Sequence, residues 1–201
     1  SLKRKAARVV VYQGNSRVAT IREQEWTKGY ASGFEDLISF INGLLPSNEV
    51  IAKALRKTVT MYPELAVREL VANALIHQDF FITGAGPMVE IFDDRMEISN
   101  PGVPLVEADR FLDTPPQSRN EALASLMRRF GICEERGSGI DKVVFQAELY
   151  QLPAPMFEVI GEFEVKLRTP ITVSPEFCER ESDALCLEVD GHKVTLRPLE
   201  V

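Results

Sequence analysis

The stretch VRELVANALIHQDFF, residues 67 to 81, sets a carboxylate, an amide and an imidazole four residues apart: Glu69, Asn73 and His77. On a helix, Asn73 and His77 lie roughly 40° and 80° round the axis from Glu69, so all three project along one side. Val67, Leu70, Val71 and Ala74 flank that line on one hand, and Leu65, Ala72 and Ile76 on the other. A solvated helix face is normally wider and carries Lys or Arg. A narrow polar line between two apolar flanks suits the floor of a pocket, and it equally suits groups that cap neighbouring backbone or pair in a structural network. Two glycine-bearing turns offer it company. Gly137-Ser138-Gly139 at a helix start would expose backbone N–H groups at the positive end of the helix dipole, a ready anion site. Asn100-Pro101-Gly102, after a strand, would let backbone approach a planar ligand closely. Each turn alone could be a plain loop.

These residues depend on the elements that carry them. ARVVVYQ (6–12) and RVATIRE (17–23) flank Gly14-Asn15-Ser16 as a strand pair. GFEDLISFINGLL (33–45) places Phe34, Leu37, Ile38, Ile41 and Leu44 at helical spacing. Tyr62-Pro63 introduces the helix of the polar line, which runs to about Asp79. PMVEIF and RMEIS are two strands closed by Asp93-Asp94. Ser118 followed by Glu121 reads as a capping box opening a helix that Gly131 ends. GSG then leads into IDKVVFQAELY, a further helix stopped near Pro153. FEVKLRT (163–169) alternates as a strand, and ALCLEVDGHKVTLRP (184–198) turns at Asp190-Gly191 as a hairpin. The expected fold class is α+β, a two-layer sandwich with helices covering one face of a mixed, mostly antiparallel sheet. The expected boundary falls at 170, with 171–201 a linker and C-terminal hairpin.

Composition narrows the function classes. A net charge of −7 and a pI near 5.0 offer no broad basic surface to a nucleic-acid backbone. Lys3, Arg4, Lys5 and Arg8 are a local exception, and such a run is ordinarily a solvated terminal face. Cys133, Cys178 and Cys186 have no metal-ligand spacing and are odd in number, which fits a reducing compartment. No apolar run approaches the roughly 20 residues of a membrane span. A cytoplasmic protein with no membrane partner is the expectation. There is no Walker A sequence and no evident helix-turn-helix.

Taken in order, PELAVRELVANALIHQDF, MEISNPG, SRNEAL and ERGSGI are more specific than any one of them. Across residues 6 to 170 the pattern resembles the divergent GHKL-type (Bergerat) ATPase domain of bacterial transcriptional regulators related to ATP-dependent DNA helicases. The resemblance implies that Glu69 orients or activates water, as a carboxylate can. It implies that Asn73 holds magnesium, since an amide oxygen ligates a hard cation alongside phosphate oxygens. Gly137, Ser138 and Gly139 would be the phosphate loop, with Ser118, Arg119 and Asn120 at the mouth. His77 opens a segment that in the family commonly reads His-Arg-Asp-Tyr; here it is His77-Gln78-Asp79-Phe80, which removes one phosphate-pairing arginine. Where GHKL proteins carry Asp-x-Gly-x-Gly, this chain has Asn100-Pro101-Gly102-Val103-Pro104. Asn100 can accept a hydrogen bond from an adenine amino group but offers no charge. The implied function is an ATP- and magnesium-binding regulatory domain of a transcriptional regulator, a homo-oligomer with slow or absent hydrolysis that reaches DNA only through other modules. The alternative is a non-catalytic interaction or dimerisation domain that keeps the fold without the ligand.

Overall fold

Which side of each strand is buried follows from alternation. In the computed structural model, which describes residues 5–52, 55–60, 62–105, 117–133, 139–150, 152, 154–160, 164–170, 185–190 and 193–198, strand β1 (Ala7–Tyr12) turns Ala7 and Val9 to one side and Val10 and Tyr12 to the other. It pairs antiparallel with β2 (Thr20–Trp26) and parallel with a strand far along the chain, β5 (Met88–Ile91). Between them come α1 (Phe34–Asn42), a separate hairpin of β3 (Ser47–Ala52) and β4 (Leu55–Thr60), and α2 (Glu64–His77). Then β6 (Arg95–Pro101), α3 (Glu121–Arg129), α4 (Gly139–Leu149), β7 (Met156–Ile160) and β8 (Glu164–Pro170) complete the main unit. The six-stranded sheet runs β2-β1-β5-β6-β8-β7, antiparallel at every pairing except β1 with β5. A last hairpin, β9 (Leu185–Asp190) with β10 (Lys193–Pro198), forms its own two-stranded sheet.

The helices lie on one face. Val9, Val89, Ile91, Met96 and Ile98 of the sheet share a core with Phe34, Leu37 and Ile41 of α1, Met127 of α3 and Val143 of α4. Through the middle runs α2, packed against α1, α4 and β6. That position explains its composition. A helix enclosed on several sides is apolar nearly all round, and Val67, Leu70, Val71, Ala72, Ala74, Leu75 and Ile76 are all buried. The two-layer α+β sandwich is as expected. The hairpin β3–β4 and the strand β7 are additions that the residue pattern did not announce.

Two local expectations need correction. Ser118 does not cap α3: the helix begins at Glu121, Asn120 occupies the N-cap position, and no side chain makes a capping hydrogen bond there. Lys5 is not on a solvated face either. It is 7% exposed and its ammonium donates to the carbonyls of Asp79, at 2.8 Å, and Ile82. Lys3 and Arg4 lie outside the described residues. Arg8, half-exposed, pairs with Glu23 and Glu25 of the neighbouring strand.

On the opposite face, β5 and β6 set Glu90 directly across from Glu97, 3% and 0% exposed. Arg17, from the β1–β2 turn, donates to both, with Nε 2.6 Å from Glu90 Oε1. Arg95 Nε is 2.8 Å from Glu97 Oε1, and Tyr12 Oη donates to Glu90. Both guanidiniums lie near the ring of Phe92, which stacks on Tyr12. The sheet thus carries a neutral network of two carboxylates and two arginines where strand alternation would ordinarily bring apolar residues.

Candidate functional site

Glu69, Asn73 and His77 do form one line along α2. Glu69 is 7% exposed, whereas Asn73 and His77 are half-buried. At the Glu69 end the chain returns at Gly139, the first residue of α4. A Cβ built on Gly139 would lie 2.7 Å from Glu69 Cδ and 3.1 Å from Cγ, and closer still to Oε1. Only glycine admits this approach. It sets the first turn of α4, where backbone N–H groups lack helical partners, against a buried carboxylate. Gly137 and Ser138 lie outside the described residues.

At the other end of α2 the 100–104 loop arrives. Asp79 N donates to Pro101 O at 2.7 Å. Gly102 takes φ +116, a conformation suited to glycine, and a Cβ there would meet Asp79 Cβ at 2.9 Å and Arg119 Nη1. Asn100 sits on the helix-facing side of β6, 9% exposed, with its Nδ2 3.5 Å from Pro101 O. Arg119 donates from Nη1 to Asp79 Oδ2 at 3.1 Å and from Nη2 to Val103 O at 2.7 Å. Burial, and then the positive charge of Arg119, hold the His77 imidazole below its ordinary range. It therefore stands neutral at pH 7, and the guanidinium lies close to the C-terminal end of the polar line.

The Ser118-Arg119-Asn120 segment divides its tasks. Asn120 Nδ2 donates to Ile76 O and Gln78 O, both at 2.7 Å, and so satisfies carbonyls at the end of α2 that helix geometry leaves open. Both amide protons are spent there, leaving the side-chain oxygen for anything else. Ser118 Oγ is buried with no hydrogen-bond partner. An Asn120→Ala variant is expected to lose about 2 kcal/mol of stability, two hydrogen bonds at about 1 kcal/mol each. Urea denaturation measures it, and an unchanged midpoint would show that water replaces the amide without loss.

Sequence reasoning gives Asp79, Gln78 and Lys5 no place in the site: it expects Lys5 on a solvated face, and it notes Gln78 only as replacing an arginine. Gln78 is fully buried and donates to Leu75 O and Tyr30 Oη, each at 2.9 Å, tying the end of α2 to the segment before α1. Burial lowers the Lys5 ammonium, opposed by the Asp79 charge. The only advance signal was the polar cluster Gln78-Asp79 directly after an apolar helix.

A sheet covered on one face by helices, with a central helix that Gly139 meets at the Glu69 end and the 100–104 loop meets just past His77, defines an α+β two-layer domain. Residues 84–167 match the family described as "Putative ATP-dependent DNA helicase recG C-terminal", a match that supports the resemblance to a divergent GHKL-type ATPase-like domain. The matched segment carries the NPG loop, SRN and GSG; Glu69, Asn73 and His77 lie ahead of it, and their placement rests on the geometry above. Among solved structures, the chain is similar to the DIP2311 protein from Corynebacterium diphtheriae, with a TM-score of 0.74 and 24% identity over 91% of this chain. That likeness is one of fold. The chain spans 38% of that protein's length. No curated protein matches the chain. Among the described residues no helix is long and apolar enough to cross a membrane.

Proposed function

We propose that residues 1–170 bind ATP with magnesium along α2, phosphates toward Gly139 and base toward the 100–104 loop, as a regulatory domain with slow or absent hydrolysis. One observation carries the reading: the glycine turn at Gly139 and the NPG loop, distant in sequence, both close on α2, at its Glu69 end and just past His77. The donor set fits the ligand. Among the described residues no three His, Cys, Asp or Glu side chains gather to hold a metal. A magnesium ion here would lean on phosphate oxygens, waters and Asn73, which suits a cation that keeps most of its hydration. Glu69, buried beside the start of α4, would polarise water near the end of the phosphate chain. Switching between bound and empty states would set the behaviour of an oligomer and of DNA-binding modules attached to it, as expected for a transcriptional regulator.

A ligand that binds only the folded state stabilises it by about 2.7 kcal/mol at a hundred times Kd. At roughly 2–4 °C per kcal/mol for a domain of this size, saturating Mg-ATP is expected to raise Tm by about 5–10 °C. ADP and GTP run alongside report on base selection. Glu69→Gln is expected to keep the shift and lose any turnover, whereas Asn73→Ala loses the magnesium-dependent part of the shift. One observation favours the interaction-domain reading: Arg119 is committed to Asp79 and Val103, and the Asn100 amide nitrogen is turned toward its own loop. If no nucleotide moves the melt even near millimolar concentration, that reading replaces ATP binding.

A further inference from the structure

We infer that Asp79 positions the base end of this site, acting through Arg119, and so decides whether it takes a whole nucleotide or only a polyphosphate. The inference rests on the nucleotide reading above and adds a residue to it. Asp79 is bound in four directions. Its N–H donates to Pro101 O, its Oδ2 accepts from Arg119, its Oδ1 accepts from Phe81 N at 2.8 Å, and its carbonyl accepts from buried Lys5.

The consequence falls on the NPG loop. Gly102 is pressed between Asp79 and Arg119, and Val103 O is held by the same guanidinium. The loop is therefore clamped from both sides by one ion pair, each member about a quarter exposed. A guanidinium has five N–H donors in a rigid plane. The two bonds it makes here fix that plane against Gly102, whose missing side chain admits Asp79 and Arg119 so closely, and so hold in one position the loop that the nucleotide reading assigns to the base. Remove the carboxylate and the plane is no longer fixed.

The phosphate end is set separately. Gly139 packs on Glu69, and the rise from Glu69 to His77 is about 12 Å of helix. A change at Asp79 should then act on the base end alone. A general structural role would weaken both ends together.

The experiment is calorimetric titration of the full chain with magnesium and either ATP or inorganic tripolyphosphate, for wild type, Asp79→Asn and Arg119→Lys. Arg119→Lys keeps the charge while removing the fork, and stands in should Asp79→Asn fold poorly by urea denaturation. The expected result is a loss of about tenfold in ATP affinity, the effect of one hydrogen bond to a charged group, with tripolyphosphate affinity within about twofold of wild type. Equal losses for both ligands would make Asp79 merely structural and overturn the inference, as would no loss for either. A wild-type chain that binds tripolyphosphate and ATP equally also overturns it, because no base contact remains to be positioned. A wild-type chain that binds neither removes the nucleotide reading itself.

Discussion

Gly139→Ala is expected to cost about 1–3 kcal/mol of stability, the usual range for forcing a methyl into a filled space, and to abolish Mg-ATP binding. The new Cβ would stand 2.7 Å from Glu69 Cδ, so either the Glu69 side chain leaves its place or the first turn of α4 backs away. Neither is cheap. Glu69 is 7% exposed on a helix enclosed by α1, α4 and β6, and moving α4 disturbs Val143 and Ala147 in the core. Nucleotide titration and urea denaturation of the same preparation separate the two losses. The decisive control is Glu69→Ala combined with Gly139→Ala. Removing the carboxylate gives the methyl room, so the double variant should be more stable than Gly139→Ala alone while still failing to hydrolyse. If the single variant binds and unfolds as wild type does, the close approach at Gly139 is not part of the site.

Arg17→Met is expected to be strongly destabilising for a substitution at a partly exposed position. It removes the cation shared by Glu90 and Glu97, which face each other across β5 and β6 almost without exposure. Removing one partner of a buried ion pair costs about 3–5 kcal/mol; Glu97 keeps Arg95, whereas Glu90 keeps the Tyr12 hydroxyl. Because the Arg17 side chain is itself 43% exposed, the lower end of that range is expected. Urea midpoints check this, and adding Glu90→Gln should restore much of the loss. A midpoint unmoved by Arg17→Met would mean that other groups neutralise the pair.

Both variants act through contacts of different legibility. The polar line on α2 was readable because Glu69, Asn73 and His77 recur every four residues between apolar flanks, and the helix runs Glu64–His77. The hairpin β1–β2 and the pair β5–β6 were readable from short turns between alternating runs. What could not be read was anything set by distant pairing. Lys5 finds carbonyls 74 and 77 residues away, so in sequence it looked like one more solvated cation. Ser118 seemed a cap because Ser-x-x-Glu is a short, degenerate signal, while Asn120 beside Glu121 competes for the position and spends its amide on another helix. Glu90 and Glu97 sit where alternation turns residues inward to a second, smaller core, and the reach of Arg17, with Arg95 and Tyr12 beside it, makes that tolerable. The strands β3 and β4 come from SNEVIA and LRKTVT, whose mixed character gives little periodic signal.

The parallel pairing of β1 with β5 also sets the order in which the molecule can assemble. Arg8 meets Met88, about 80 residues on, and closing so long a loop costs entropy before the contact repays it. The local hairpins β1–β2 and β5–β6 can form early, because their turns are short. Helix α2 lies inside the loop being closed and gains its packing against β6 and α4 only when that closure is complete. The proposed nucleotide site along α2 should therefore be among the last features to appear during refolding. A ligand that needs it would slow unfolding while leaving the folding rate nearly unchanged.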